Sequence, residues 1–226
     1  MKARLALALA LATGVVVAGS ADAARVSCKI VTDRTGDTYA VRYQNNPPVP
    51  APVPMGPQDD SLDLLSSDLA SDGKTLTAVV RVKKLARTTQ TSPFATSYNV
   101  DFAVPGGAGY ATLRAILTAS GDSFEALSKS DTANVPSTFL GSVKGTVDFK
   151  KNEVRIHAPL SVFASFAKIK KGTKLTPFET TTGRAHPVGL PIPAGQPMPT
   201  RGLNSDVAEG GKVYKVGDKT CVTVGK

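Results

Sequence analysis

The chain has 226 residues, a formal net charge of +9 and a pI of about 9.6, with two cysteines, two histidines and no tryptophan. So few histidines and cysteines, without ligand spacing, argue against a structural or catalytic zinc centre. After the first 18 residues no long apolar run recurs, so the sequence offers no second stretch that could span a bilayer as a helix.

Residues 1–23 read as a signal peptide. Lys2 and Arg4 give a positive start, Leu5 to Ala18 is apolar, and Ala21-Asp22-Ala23 is an A-x-A cleavage signal. Its removal takes away Lys2, Arg4 and Asp22, leaving 25 basic and 17 acidic residues, a net charge of +8. The expectation is a basic secreted protein, which favours polyanionic partners and says nothing of fold.

From Cys28 a first strand runs to Val31, followed by Thr32-Asp33-Arg34-Thr35-Gly36-Asp37, a loop with two carboxylates and a glycine. Tyr39 to Arg42 is a second strand. A proline-rich loop, about residues 44–58, then reads as an excursion within one domain, because the short piece before it cannot fold alone. Leu62 to Ala70 leads to the turn Ser71-Asp72-Gly73-Lys74, and Leu76, Ala78, Val80 and Val82 then alternate with more outward positions. Strands are expected at Tyr98–Val104, Tyr110–Leu117 and Phe124–Leu127.

The strongest pattern lies at residues 143–160. Val143, Val147 and Phe149 share a face with Val154, Ile156, Ala158 and Leu160, on either side of the turn Lys150-Lys151-Asn152. Lys144, Thr146, Asp148, Glu153, Arg155 and His157 point the other way, which predicts a hairpin with one buried and one solvated face. One helical turn is expected at Ser161–Ala167, a charged turn at Lys168–Lys174, a strand at Leu175–Thr182 and a second proline-rich loop at about 186–203. Final strands are expected at Gly211–Val216 and Thr220–Val224.

Many short strands and almost no helix predict an all-β fold, a single antiparallel jelly-roll-like β-sandwich over residues 24–226. Cys28 and Cys221 stand near the two ends of the chain, and in an oxidising compartment they read as one disulfide tying the termini together. In the chain-entropy model so long a loop contributes roughly 4–5 kcal/mol. Such a bridge would make the first and last strands neighbours.

The order Thr32-Asp33-Arg34-Thr35-Gly36-Asp37, Leu62-Asp63-Leu64-Leu65, Ser71-Asp72-Gly73-Lys74, Gly145-Thr146-Val147-Asp148 and Gly211-Lys212-Val213-Tyr214 resembles secreted β-sandwich domains of actinobacteria. These are related in pattern to the calcium-associated jelly-roll modules of the DOMON and family 9 carbohydrate-binding type. The resemblance implies a structural calcium held by Asp33, Asp37 and Asp63. Two departures stand out. Such sugar-binding modules commonly grip a ring with tryptophan, which is absent here, and haem-binding relatives need axial ligands, for which the mature chain offers Met55, Met198, His157 and His186.

Spacing alone leaves the calcium site open. Asp33 and Asp37 could supply carboxylates around Gly36, Asp59, Asp60 or Asp63 could close the shell, and Asp206 could reach the same end through the disulfide. Equally, Asp33 and Asp63 could only cap turns. No catalytic set emerges: there is no G-x-S-x-G, Ser165 to Lys168 matches S-x-x-K without its companion motifs, and His157 and His186 are the sole imidazole bases. Pro105-Gly106-Gly107 reads as a turn and not a phosphate loop. Tyr98, Phe102 and Tyr110 read as packing residues, which argues against nucleic acid.

The chain is therefore expected to be a secreted, non-catalytic binding or accessory module stabilised by calcium, with an extracellular glycan, an anionic wall polymer or a secreted protein as partner. An interaction or inhibitor module that uses the proline-rich loops is the alternative, and an enzyme of unrecognised type the third.

Overall fold

A computed structural model describes residues 28–42, 51–53, 59–87, 95–130, 136–185 and 202–225. The expected leader, Met55, Met198, His186 and most of both proline-rich stretches lie outside these residues. Among the described residues, fourteen strands form two antiparallel sheets, the expected sandwich.

The smaller sheet has the order β1 (Val31–Thr32), β4 (Leu64–Ser71), β5 (Thr75–Val82), β11 (Glu153–Pro159) and β10 (Lys144–Asp148). The larger runs β3 (Ala51–Val53), β2 (Tyr39–Arg42), β13 (Gly202–Glu209), β12 (Lys174–Ala185), β6 (Ala95–Ala103), β7 (Tyr110–Leu117), β8 (Asp122–Lys129) and β9 (Thr138–Ser142), with β14 (Tyr214–Lys215) pairing the start of β12. The period-two pattern does what it predicts. Leu76, Ala78, Val80 and Val82 of β5 join Val154, Ile156 and Ala158 of β11 in one buried cluster with Tyr98, Val100 and Phe102 of β6 and Leu113, Ala115 and Leu117 of β7. Phe163, on the 3-10 turn Leu160–Phe163, closes this core edge-to-face against Phe102 at 5.9 Å.

The hairpin β10–β11 forms in the predicted register, with Val147 opposite Val154 and Asp148 opposite Glu153. Asn152 takes the positive φ of 56° that its turn requires. Phe149, expected inside, is instead 41% exposed, with the Arg87 guanidinium 5.3 Å from its ring centroid, because the strand has already ended in the turn.

The other face of this hairpin is solvated at Lys144 and Thr146 as the alternation suggests, but Glu153 is buried and Arg155 and His157 are half-buried. After the disulfide Cys28–Cys221, whose Cα atoms are 5.3 Å apart, residues 222–225 lie across the outer side of the smaller sheet. Val222 packs on Ala70 and Val79, and the Gly225 N–H donates to Thr77 Oγ1 at 3.4 Å. Farther along the same face Arg81 donates to Asp68 Oδ2 at 2.6 Å and to Glu153 Oε1 at 2.8 Å, and Arg155 donates to Glu153 Oε2. Burial works against the charge of Glu153, yet the bonds from Arg155 and Arg81 hold its carboxyl below the usual range.

Several boundaries differ from expectation for stated reasons. The segment Thr220–Val224 alternates correctly, since Val222 and Val224 meet the same patch, but it covers a sheet face and forms no strand. The last strand, β14, pairs with β12 and not with β1; the carboxy-terminal segment meets the first strand region through the disulfide, through Gly211 beside Val31 and where the Lys212 N–H donates to the Ile30 carbonyl. Residues 51–53, inside the first proline-rich stretch, pair with β2 as an edge strand, the position where Pro52 needs no ladder donor. Strands β9 and β13 lack the alternation that announces a strand. The second proline-rich stretch, expected to run to 203, has already become β13 at Gly202.

Two substitutions test this packing. A Cβ at Gly145 would sit 2.2 Å from the Phe124 ring, so Gly145→Ala is expected to lose about 1–3 kcal/mol in chemical denaturation, relieved by a smaller residue at Phe124. Arg81→Ala leaves the buried Asp68 carboxylate without its cation and is expected to cost about 3–5 kcal/mol in the same measurement.

Candidate metal centre

Strand pairing builds one acidic end of the sandwich. β1 pairs with β4 through Thr32 and Ser66, and the Asp33 N–H donates to the Leu65 carbonyl at 3.2 Å, which lays the loop after β1 beside the start of β4. Asp63, just before β4 and fully buried, accepts the Gly36 N–H at 2.9 Å and so pins the far side of that loop. Gly36 has a φ of 85°, the left-handed turn that brings Asp37 back toward Asp33. Asp206 arrives from the larger sheet, on β13 opposite Thr182 of β12. It accepts the Leu64 N–H at 2.7 Å on Oδ2 and the Val207 N–H at 2.9 Å on Oδ1.

The result is that ligand oxygens of Asp33, Asp37 and Asp206 all lie within 4.8 Å of one another. Asp33 Oδ1 accepts the Arg34 N–H, while Oδ2 is buried and accepts no hydrogen bond. Burial, and then the charges of Asp37 and Asp63, raise the Asp33 carboxyl above the usual range against the Arg34 N–H bond. Burial pushes Asp206 up to about 7, with Asp33 and Asp37 adding to the effect and the Leu64 and Val207 N–H groups opposing it.

Of the other acidic residues considered for the shell, Asp59 is bound to Arg184 at 2.5 Å and to Ser61, and Asp60 pairs with Lys83 at 2.8 Å. Asp63 keeps one oxygen without a hydrogen bond, 3.7 Å from Lys83 Nζ. Asp206 reaches the cluster through the β12–β13 ladder. The disulfide expected to bring it there lies toward the opposite end of the sheet, beyond Ile30.

The donor set suits a hard cation. Oxygens that share an ion at ordinary calcium distances lie up to about 5 Å apart, and an all-carboxylate set with one exposed member leaves room for water. The buried Asp33 Oδ2 accepts no hydrogen bond from the protein, and a cation held by the three carboxylates would satisfy it.

Sequence reasoning missed a second polar cluster. On the outer face of the larger sheet Asp101 is 1% exposed, and Lys129 Nζ lies 2.5 Å from its Oδ2 and 3.9 Å from Glu179 Oε1. Burial and the neighbouring Asp101 raise the Glu179 carboxyl, while Lys129 lowers it. The alternation of β6 places Asp101 outward, but no local pattern announces that Glu179 is opposite it.

His157 is half-buried, not solvated as its outward position suggests, with Nδ1 3.0 Å from Thr77 Oγ1. Burial, then Arg155, hold its pKa below the ordinary value. Thr77 is fully buried under the chain end, so this pair presents no accessible nucleophile. No family model matches the chain, and no curated protein or solved structure matches it.

The carboxylate cluster predicts an unusual pH response in chelator. Asp206 holds its proton up to about pH 7 in the folded chain but only to its ordinary 3.8 when unfolded. Between these values the folded state binds the extra proton, so this group's stabilisation falls as pH rises from about 4 to 7 and is flat above. Thermal melts across that range should show this slope, and Asp206→Asn should remove it; an unchanged slope in the variant would contradict the assignment.

Proposed function

We propose that this chain is a secreted, non-catalytic binding module whose acidic end holds one calcium ion. The observation that supports this most is the convergence of Asp33, Asp37 and Asp206, from two sheets and distant parts of the sequence, around an Asp33 oxygen with no hydrogen bond. Asp33, Asp37 and Asp206 would be the ligands, with Asp63 orienting the loop through Gly36. A bound ion would offset their mutual repulsion and tie the loop after β1 to β13. The resemblance to calcium-associated jelly-roll modules points the same way.

The ligand class follows from charge. With no tryptophan to stack on a sugar ring and a net charge of +8 after the leader, a negatively charged cell-surface glycan or wall polymer is the partner this reading favours.

Melts of the disulfide-intact protein in chelator and in millimolar calcium test the metal. Saturation at 100 times the dissociation constant adds about 2.7 kcal/mol to the folded state. Asp37→Asn, at an exposed position, should fold normally and lose most of the gain. No shift, together with no metal found by elemental analysis of the purified protein, would overturn the calcium reading.

A further inference from the structure

Lysines scattered along the sequence gather at one end of the folded molecule. The turn between β4 and β5, the turn that enters β12 and the turn after β14 meet there. Lys171 is the point of contact: a Cβ built on Gly73 would lie 4.0 Å from its Cβ, and one on Gly217 would lie 3.1 Å from its Cγ. Gly73, Gly172 and Gly217 have φ values of 87°, 89° and 92°, so all three turns need glycine and are fixed in shape. Backbone bonds from Gly172 N–H to the Val216 carbonyl and from Val216 N–H to the Thr173 carbonyl lock two of them together. Lys174 stands directly opposite Lys215 in the β12–β14 pairing.

This end therefore carries Lys74, Lys170, Lys171, Lys174, Lys215 and Lys219. The acidic residues on the same turns are Asp72, whose Oδ1 accepts the Lys74 and Thr75 N–H groups, and Asp218. Among the described residues the ion-paired lysines are Lys83, Lys129 and Lys151, all elsewhere. At the opposite end sit Asp33, Asp37, Asp59, Asp60, Asp63 and Asp206; Lys83 and Arg184 are ion-paired there, and Arg34 and Lys84 stand on the same loops. Six lysines with only Asp72 and Asp218 among them, and in no salt bridge among the described residues, repel one another, and an external anion relieves that repulsion.

We infer that the lysine end is a docking surface for a linear polyanionic polymer carrying phosphate or sulfate groups along its backbone. Lysines without arginine supply point charges and no planar fork, so the surface recognises charge density and not one oriented anion. No aromatic side chain is exposed on these turns, Tyr214 being buried, so base stacking has no platform and a nucleic acid gains nothing beyond its charge. A surface pocket beside the lysines is lined by Ser71, Asp218, Lys219 and Thr220 and floored by apolar Ala70 and Val222; its acidic wall gives it no part in holding the polymer's charge. The inference deepens the binding-module reading by naming its partner, and it is independent of the metal.

Fluorescence anisotropy with labelled long-chain polyphosphate and with dextran sulfate, in chelator at low salt, tests it and separates the two anion sources. Binding to at least one is expected, falling steeply as sodium chloride rises, with the triple variant Lys170→Glu, Lys215→Glu, Lys219→Glu weakened about tenfold or more. A control with equal charge change at the other end, Lys84→Glu, Lys150→Glu, Lys151→Glu, should lose less than about twofold by the same argument. Circular dichroism of both triples checks the fold. Equal loss in the two triples would show that net charge alone binds and would overturn the site. So would competition by inorganic phosphate at equal phosphorus concentration, or binding to phosphatidylglycerol vesicles and not to either polymer. Retained polymer binding in chelator, with no calcium effect on melting and no metal found by elemental analysis, would leave this inference standing and remove the calcium reading.

Discussion

One hydrogen bond between the two sheets organises the acidic end. Asp206, on β13 of the larger sheet, accepts the N–H of Leu64, the first residue of β4 in the smaller sheet, 142 residues away in sequence. That bond fixes where the larger sheet meets the loop after β1, and it makes a carboxylate indispensable at a place that already holds Asp33 and Asp37. A group that must accept two backbone N–H bonds cannot move away from its like-charged neighbours. Burial between the sheets is the main reason Asp206 holds its proton so tightly, and the neighbours Asp33 and Asp37, from which it cannot withdraw, add to it against the two N–H bonds.

The same topology separates the charges. Strands β4, β5 and β12 run from one end of the sandwich to the other, and the turns at one end are rich in glycine and lysine while the loops at the other are rich in aspartate. The chain thus has opposed polarity along its strands, with aspartates gathered at one end and, among the described residues, lysines outside any salt bridge gathered at the other. On the proposed reading, separate ends would let a metal and a polymer act on one small fold without competing for surface.

Much of this was legible in the sequence, but unevenly. The alternation in Leu76–Val82 and in Val147–Ile156 reported correctly which side chains face the core, because the period of a strand is a local property. It could not report what lies beside the other face, so Glu153 and His157 read as solvated although Arg81 and Arg155 hold the first and Thr77, itself under the chain end, meets the second. Strands β9 and β13 were invisible because Gly202–Glu209 and Thr138–Ser142 take their conformation from neighbours already in the sheet. The aspartates of the candidate site could be picked out individually, yet Asp206 joins them through a ladder whose register no local pattern encodes. The pairing of Glu179 with Asp101 was hidden for the same reason.

The order of the strands in the larger sheet has a kinetic side. β2 lies near the amino terminus, and its principal neighbour, β13, is almost the last strand made, so β2 has no place in the larger sheet, and the loop that bears Asp33 and Asp37 lacks Asp206, until the chain is nearly whole. Pairings of such sequence separation are slow, and the intervening hairpins β4–β5, β6–β7 and β7–β8 are free to assemble first. A newly made chain would therefore expose unpaired edges on its early hairpins while it waits, and export of an extended chain followed by folding outside would shorten the time those edges spend in a crowded compartment.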